Sequence, residues 1–380
     1  MRVKIVKFNK NVFLRDLEYL VNIDSGTRTA EGVAKVADYL IKKYEAAGLT
    51  VKRYVFDPLL GPCVEARNHP ECDDIDLLLI GHMDTVFPPG TAAARPYREE
   101  DGKAYGPGVA DMKSGDLLAL TLVEELQEAG VDLNICIANN PDEEIGSPSA
   151  DAWLLDLGKK SKFCFDFEPG RAGGDFVKTR KGVQHLTIQM EGIAAHAGVN
   201  PDAGASAILE MSRWACHFAD MKDGLGGTYV NFGVVKGGTV YNMVPNYCEC
   251  GVDLRFDTME ALEKIHNELY RMAENPYDSR IKVKIDSNGC TPPMTTNENS
   301  LKLMDLMKEE GKKLGQTFDF IGTGGGSDAS RISAAGAATM DACGPVGYHT
   351  HNEGEYIVLS SIEERLQILF NVCVRLWGNQ

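Results

Sequence analysis

Ile75 to Ile80 form a nearly continuous apolar run that passes directly into Gly81-His82-Met83-Asp84-Thr85. Such a run reads as a strand buried on both faces, the habit of parallel sheets covered by helices on either side. Ile135 to Asn140 reads as a second strand, and the alternating stretch Lys162 to Glu168 as a third. Around them, apolar residues recur at helical spacing. Phe13, Leu14, Leu17, Leu20 and Val21 predict one helix. Val33, Val36, Leu40, Ile41 and Tyr44 predict another, from about Thr29 to Ala47 with Gly48 as its stop. Leu117, Leu118, Val123 and Leu126 predict a third over Lys113 to Glu128. Strands alternating with helices predict an α/β layered domain.

One such domain does not account for the chain. A single core stops growing near roughly 250–300 residues, and there are 380 here. The pattern changes after about residue 180. Strands at Gln184–Met190, Tyr229–Val235, Cys248–Phe256 and Ile281–Ile285 alternate with helices near Ala205–Met221 and Met259–Asn275. This β-α-β-β-α-β order predicts a ferredoxin-like antiparallel unit. The expected organisation is a larger domain of residues 1–180 and 292–380, with residues 181–291 inserted as a smaller α+β domain.

Charge and cysteine usage narrow the function class. A net charge of −16 argues against nucleic acid and anionic membrane surfaces as partners. No apolar stretch approaches the roughly 18 residues of a membrane span, and no signal-type apolar segment follows the basic MRVKIVKFNK. Ten scattered cysteines include no CxxC, which suits reduced thiols in a cytoplasmic protein. Cys248 and Cys250 lack a second pair, which argues against a thiolate zinc site.

Several segments put acidic residues or histidines just beyond an apolar strand, where open α/β sheets bind ligands. In LLLIGHMDT, His82 can give an imidazole nitrogen to a metal while Asp84 accepts the other ring N–H. In YGPGVADMKSGDL, Asp111 is either the N-cap of a helix from Met112 or a ligand whose two oxygens bridge two cations. NNPDEEIGS carries the adjacent pair Glu143 and Glu144, which as neighbouring anions need a cation unless solvated. FEPG places Glu168 at a strand end, and GYHTHNEGEY carries His349 and His351. Together these supply hard or borderline ligands suited to Zn²⁺ or similar ions. They are too many for one tetrahedral site and enough for two metals sharing a carboxylate, a hydrolase arrangement.

HMDTV, GPGVADMKSG, DEEIGS and FEPGR, in that order, resemble the di-zinc metallopeptidase family of glutamate carboxypeptidase, acetylornithine deacetylase, succinyl-diaminopimelate desuccinylase and peptidase T. The likeness extends to AAHAG at 194–198, YNMVPNYCECGVDLRF at 241–256 and GGGSDA at 324–329. HMDTVFPPGT and the LRF-type strand most resemble the glutamate carboxypeptidase branch. The resemblance implies a mixed, largely parallel sheet sandwiched by helices, of zinc-exopeptidase type, with the ferredoxin-like insert as lid and dimerisation domain. It implies two Zn²⁺ per chain, with Co²⁺ or Mn²⁺ as other options. His82, Asp111 and Glu168 would bind one ion, and Asp111, Glu144 and a C-terminal histidine the other. The family pattern places Glu four residues after that histidine, often followed by an aromatic. His351 meets this with Glu355-Tyr356, whereas His349 meets it with Glu353 followed by Gly354. Both remain open, and His351 fits better.

By the same resemblance, Glu143 is the general base, Asp84 orients His82, and His196 reaches across a homodimer to stabilise the oxyanion. Asn242 and Arg255 hold a free substrate carboxylate, and Gly325, within Gly324–Gly326, lets backbone approach the substrate. Lys178, Arg180 and Lys181 near the domain junction could assist an acidic substrate, but read better as a solvated hinge. The expected activity is cleavage of an amide in a small peptide or N-acyl amino acid, releasing an amino acid with a free α-carboxylate, as in glutamate carboxypeptidase. A deacylase, a di- or tripeptidase, and more remotely a catalytically silent dimeric binding protein are the alternatives.

Overall fold

A computed structural model describes residues 6–221 and 227–378; the first five residues of the basic N-terminal stretch lie outside them. The chain divides into two compact units. One comprises residues up to Thr179, Met294–Thr323 and those from Ser327 on; the other comprises Arg180–Pro293 with Gly324–Gly326.

In the larger unit six strands lie side by side in the order Thr50–Asp57, Gly61–Arg67, Ile135–Asn140, Ile75–His82, Ser161–Asp166 and Ala338–Met340. The first two pairings are antiparallel and the other three parallel, so the sheet is mixed and largely parallel. Leu77 and Leu79 of the central strand pack with Ile137 and Phe165, under the helices Lys10–Val21, Ala30–Ala46, Ser114–Glu128 and Leu359–Trp377. Leu78 and Ile80 face the other way, with Cys136, Ala138 and Cys164, toward the helices Asp151–Lys160 and Ala329–Ala334. Burying such a side chain contributes roughly 1.5–3 kcal/mol, and here both faces of the strand do so. The helix Ser114–Glu128 stops where Gly130 turns left-handed at φ 68°. Val131 N–H returns to the Leu126 carbonyl and Gly130 N–H to that of Gln127, closing a Schellman motif.

Gly61–Arg67 is buried throughout, yet its sequence carries two charges. They neutralise each other: Arg67 Nε donates to Glu65 Oε1 at 2.8 Å, and Trp153 Nε1 to Glu65 Oε2 at 3.3 Å. A second sheet pairs Tyr356–Val358 with Lys103–Tyr105, with Tyr356 opposite Tyr105. That pairing fixes the C-terminal His-rich segment beside the loop that follows Tyr105.

The smaller unit holds an antiparallel sheet in the order Tyr229–Gly237, Tyr247–Phe256, Gly182–Glu191, Lys282–Thr291. The helices Ala207–Asp220 and Met259–Glu274 cover one face, where Trp214, Ile265 and Leu269 pack with Leu186, Ile188 and Leu254. This is the ferredoxin-like arrangement. Glu268 ties the two helices through His217. Among the described residues no helix is long and apolar enough to cross a membrane.

Candidate metal centre

The parallel register sets the site. His82 pairs with Asn140, and Ile80 with Asp166, so three strands end along one edge. His82 is the last residue of its strand, the short turn Glu143–Ile145 follows Asn140, and Glu168 lies two residues past Asp166. The loop holding Asp111 arrives from Tyr105 through Gly106 and Gly108. Gly108 has φ 72°, and a Cβ there would sit 2.6 Å from Thr85 Cγ2, so the close approach requires glycine.

Asp111 joins the two histidines. Its Oδ1 lies 3.0 Å from His82 Nε2, and its Oδ2 lies 3.3 Å from His351 Nε2. Glu168 Oε1 is 3.5 Å from His82 Nε2, and Glu144 Oε2 is 3.0 Å from His351 Nε2. One carboxylate therefore separates a His82–Glu168 side from a His351–Glu144 side. The helix begins only at Ser114, and Asp111 sits at φ −116°, ψ 92°, so it is not the plain helix N-cap that the sequence allowed. His349 turns away, its ring 5.8 Å from that of Tyr356; His351 is the histidine brought to the cluster.

Asp84 is fully buried and serves several groups at once. His82 Nδ1 lies 3.3 Å from its Oδ1. Glu143 N–H donates to that oxygen at 3.1 Å, and Glu144 N–H to Oδ2 at 3.3 Å. Thr27 Oγ1 donates to Oδ2 at 2.6 Å. Glu355, also buried, accepts from Gly108, Ala110 and Asp111 backbone N–H groups at 3.0, 2.8 and 3.0 Å. Sequence reading used Glu355 only as a spacing marker and passed over Thr27. Neither carries a local signature, because what each holds lies 57 and 244–247 positions away along the chain.

The charges test whether a cation fits. Burial, then the neighbouring Glu168, pushes the Glu143 carboxyl well above its ordinary range. Burial raises Glu144 to about 7 even with His351 opposing it. For Asp111 burial also opposes ionisation, but hydrogen bonds from His351 and His82 outweigh it and hold the carboxyl low. Asp111, then Glu144, raises His351 to about 10. For His82, burial works against charge, and hydrogen bonds to Asp111, Asp84 and Glu168 overcome it. The carboxylates thus outnumber the positive charge available, and the cluster favours any cation that enters. Ligand atoms of His82, Asp111 and Glu144, and again of His82, Glu143 and Glu168, lie within 4.8 Å of one another. Glu144 Oε1 is buried with no hydrogen-bond partner, and such an oxygen is costly to leave unmatched. The donor set of imidazole and carboxylate suits zinc-type ions.

The other predicted residues lie in the smaller unit. Arg255 Nε donates to Asp253 Oδ2 at 3.0 Å and its Nη1 to the Gly324 carbonyl at 3.1 Å. His196 is exposed, opposite Met243 on a two-residue strand, and Ala197 N–H bonds the Asn242 carbonyl at 2.9 Å. Gly325 accepts from Arg180 Nη1 at 3.2 Å. Arg180 is itself buried, so it is not a solvated hinge charge.

Comparison with known proteins agrees with this chemistry. Residues 78–375 match the model of peptidase family M20/M25/M40. The chain is 31% identical to carboxypeptidase G2 of Pseudomonas sp. (strain RS-16) over 364 residues, covering 93% of this chain and 86% of that one. It is 25% identical to acetylornithine deacetylase of Myxococcus xanthus, covering 86% and 87%. The solved aminopeptidase PepT from Bacillus cereus shares the fold, with a TM-score of 0.76, 21% identity and coverage of 96% and 98%. The chain belongs to peptidase family M20/M25/M40 and is a metal-dependent hydrolase.

Proposed function

We propose that the protein is a di-zinc exopeptidase-type hydrolase that cleaves an amide to release an amino acid with a free α-carboxylate, as a glutamate carboxypeptidase does. The observation that carries the reading is Asp111, whose two oxygens face different histidines, each with its own glutamate. His82, Asp111 and Glu168 would hold one ion, and Asp111, Glu144 and His351 the other. Two zinc-type ions there would polarise the scissile carbonyl and acidify a water.

The remaining steps belong to side chains. Asp84 accepts a hydrogen bond from His82 Nδ1–H, at its backbone carbonyl 3.0 Å away with Oδ1 at 3.3 Å, which leaves Nε2 free as a metal ligand atom. Glu143 removes a proton from the attacking water and passes it to the leaving nitrogen. Its backbone is held by Asp84, and its carboxylate lies within 4.8 Å of the ligand atoms of His82 and Glu168. Arg255 and Asn242 hold the substrate's α-carboxylate, for which a planar guanidinium can bond both oxygens, and Gly325 lets substrate approach the backbone. Reaching across a homodimer, His196 of one chain supplies a donor to the oxyanion developing in the other.

A homodimer completes the reading. It is supported by the edge strand Tyr229–Gly237, with Tyr229, Val234 and Val235 exposed. Ten free cysteines fit a reducing, cytoplasmic setting. The likeness to acetylornithine deacetylase supports N-acyl amino acid deacylation as the second reading. Hydrolysis of a panel of acyl-glutamates, acyl-ornithines and small peptides by wild type and Glu143→Ala separates these. Turnover of C-terminal glutamate substrates, absent in Glu143→Ala, supports the first. Turnover only of acyl-ornithines moves the assignment to the second, and wild-type rates in Glu143→Ala reject the base.

A further inference from the structure

The turn bearing Glu143 and Glu144 is short, a single turn over Glu143–Ile145. Ile145 and Ser147 N–H groups donate to the Asp142 carbonyl at 3.3 and 2.8 Å, and Gly146 N–H donates to that of Glu143 at 2.7 Å. Gly146 and Ser147 both turn left-handed, at φ 84° and 51°. For serine that conformation is uncommon and needs outside support. The support comes from far along the chain.

Arg331 Nη2 donates to the Gly146 carbonyl at 2.6 Å, its Nε to Asp151 Oδ1 at 2.6 Å, and its Nη1 to Asp328 Oδ1 at 3.3 Å. Asp328 in turn accepts from Ser147 Oγ and from Asn140 Nδ2. The side chains of Arg331 and Asp328 are 4% and 6% exposed. Their contacts flank the glutamate pair on both sides, with Asn140 before it and Gly146 and Ser147 after it.

We propose that Arg331 and Asp328 are positioning residues that set the Glu143–Glu144 turn for catalysis. The inference rests on the two-metal reading above. A planar guanidinium reaches three acceptors in fixed directions at once, which an ammonium cannot do with the same geometry. Asp328 relays that rigidity to Ser147 and Asn140. Small displacements of a general base are expensive in rate, so the clamp acts on turnover before it acts on substrate affinity. A staple that serves only the fold would instead lower stability and leave the folded enzyme's turnover intact.

The test compares wild type, Arg331→Lys, Ser147→Ala, Asp151→Asn and Glu143→Ala. It measures kcat, KM, bound metal, the urea midpoint and amide hydrogen exchange of the metal-free protein. Outer partners of a metal site, when altered, typically lower affinity or activity by roughly 10–100-fold. Arg331→Lys should lower kcat by roughly that factor while KM stays within about twofold. In the metal-free protein its amides over residues 143–147 should exchange roughly tenfold faster or more, the loss of one charge-assisted hydrogen bond. Exchange in the helix Ser114–Glu128 should not change. Ser147→Ala removes one bond, and Asp151→Asn weakens another by taking the charge from its acceptor; each should give a smaller fall in kcat in the same direction, and they decide the matter if Arg331→Lys does not fold. Folded variants with wild-type kcat and wild-type exchange at 143–147 overturn the inference. So does a kcat loss that merely tracks the folded fraction. Glu143→Ala separates the two levels. If it is inactive while the clamp variants are normal, only the clamp fails. If it turns over normally, the base assignment fails and the clamp with it.

Discussion

Replacing Glu355 with glutamine should weaken both the fold and the metal site, and the size follows from its bonds. Glu355 Oε1 accepts from Ala110 and Asp111 N–H groups and Oε2 from Gly108 N–H, all between 2.8 and 3.0 Å. Glutamine has one oxygen. If it keeps the Ala110–Asp111 pair, its NH₂ group faces the Gly108 N–H, donor against donor. One unmatched buried amide costs about 1–3 kcal/mol, and turning two charge-assisted bonds into neutral ones costs about 1 kcal/mol each. Loss of the buried charge offsets part of this, since burial raises the Glu355 carboxyl to about 7. The net expectation is a stability loss of about 2–4 kcal/mol. Urea unfolding of metal-free Glu355→Gln, followed by far-ultraviolet circular dichroism, measures it. Because Asp111 hangs from the same loop, metal affinity should fall roughly 10–100-fold. An unfolding midpoint and a metal affinity both equal to wild type would refute the reasoning, for the 106–111 loop would then hold itself.

Three further outcomes are expected. Thr27→Val removes the hydroxyl that donates to Asp84; it should lower kcat about 2–10-fold, equivalent to about 0.5–1.5 kcal/mol, with bound metal unchanged by elemental analysis. Leu118→Ala empties a fully buried position under the central sheet and should cost about 2–5 kcal/mol in urea unfolding. Glu268 is held down to about 2 by its hydrogen bond with Arg271, assisted by His217 against burial. A lowered carboxyl contributes stability that is present above its ordinary value of 4.5 and lost as pH falls toward 2. Glu268→Gln should remove on the order of 1 kcal/mol at neutral pH and flatten that acid limb in thermal melts taken from pH 6 to pH 2.

What the sequence disclosed follows the range of the forces involved. The run Ile75–Ile80 announced a strand covered on both faces because burial of that kind is written residue by residue. The expectation that His82, Asp111, Glu144 and Glu168 converge came from their residue types just past apolar runs and turns, and the structure brings these four side chains together. Gly61–Arg67 was not, since Glu65 and Arg67 cancel each other only once folded. Asp111 looked equally like a helix cap until the loop's own path put the helix start at Ser114. His349 and His351 share the same local chemistry; the pairing of Tyr356 with Tyr105 and the turn between the two histidines decide which one meets Asp111. Glu355, Thr27 and Arg331 work through backbone groups of remote segments, and no local pattern marks such a partner.

Metal content tests the central claim most directly. Wild type equilibrated with excess zinc and then freed of loosely bound ions should retain close to two ions per chain, and Asp111→Ala should lose both, because that carboxylate faces both histidines. A wild-type protein that holds one ion or none under the same treatment, or an Asp111→Ala variant that keeps two, would contradict the account.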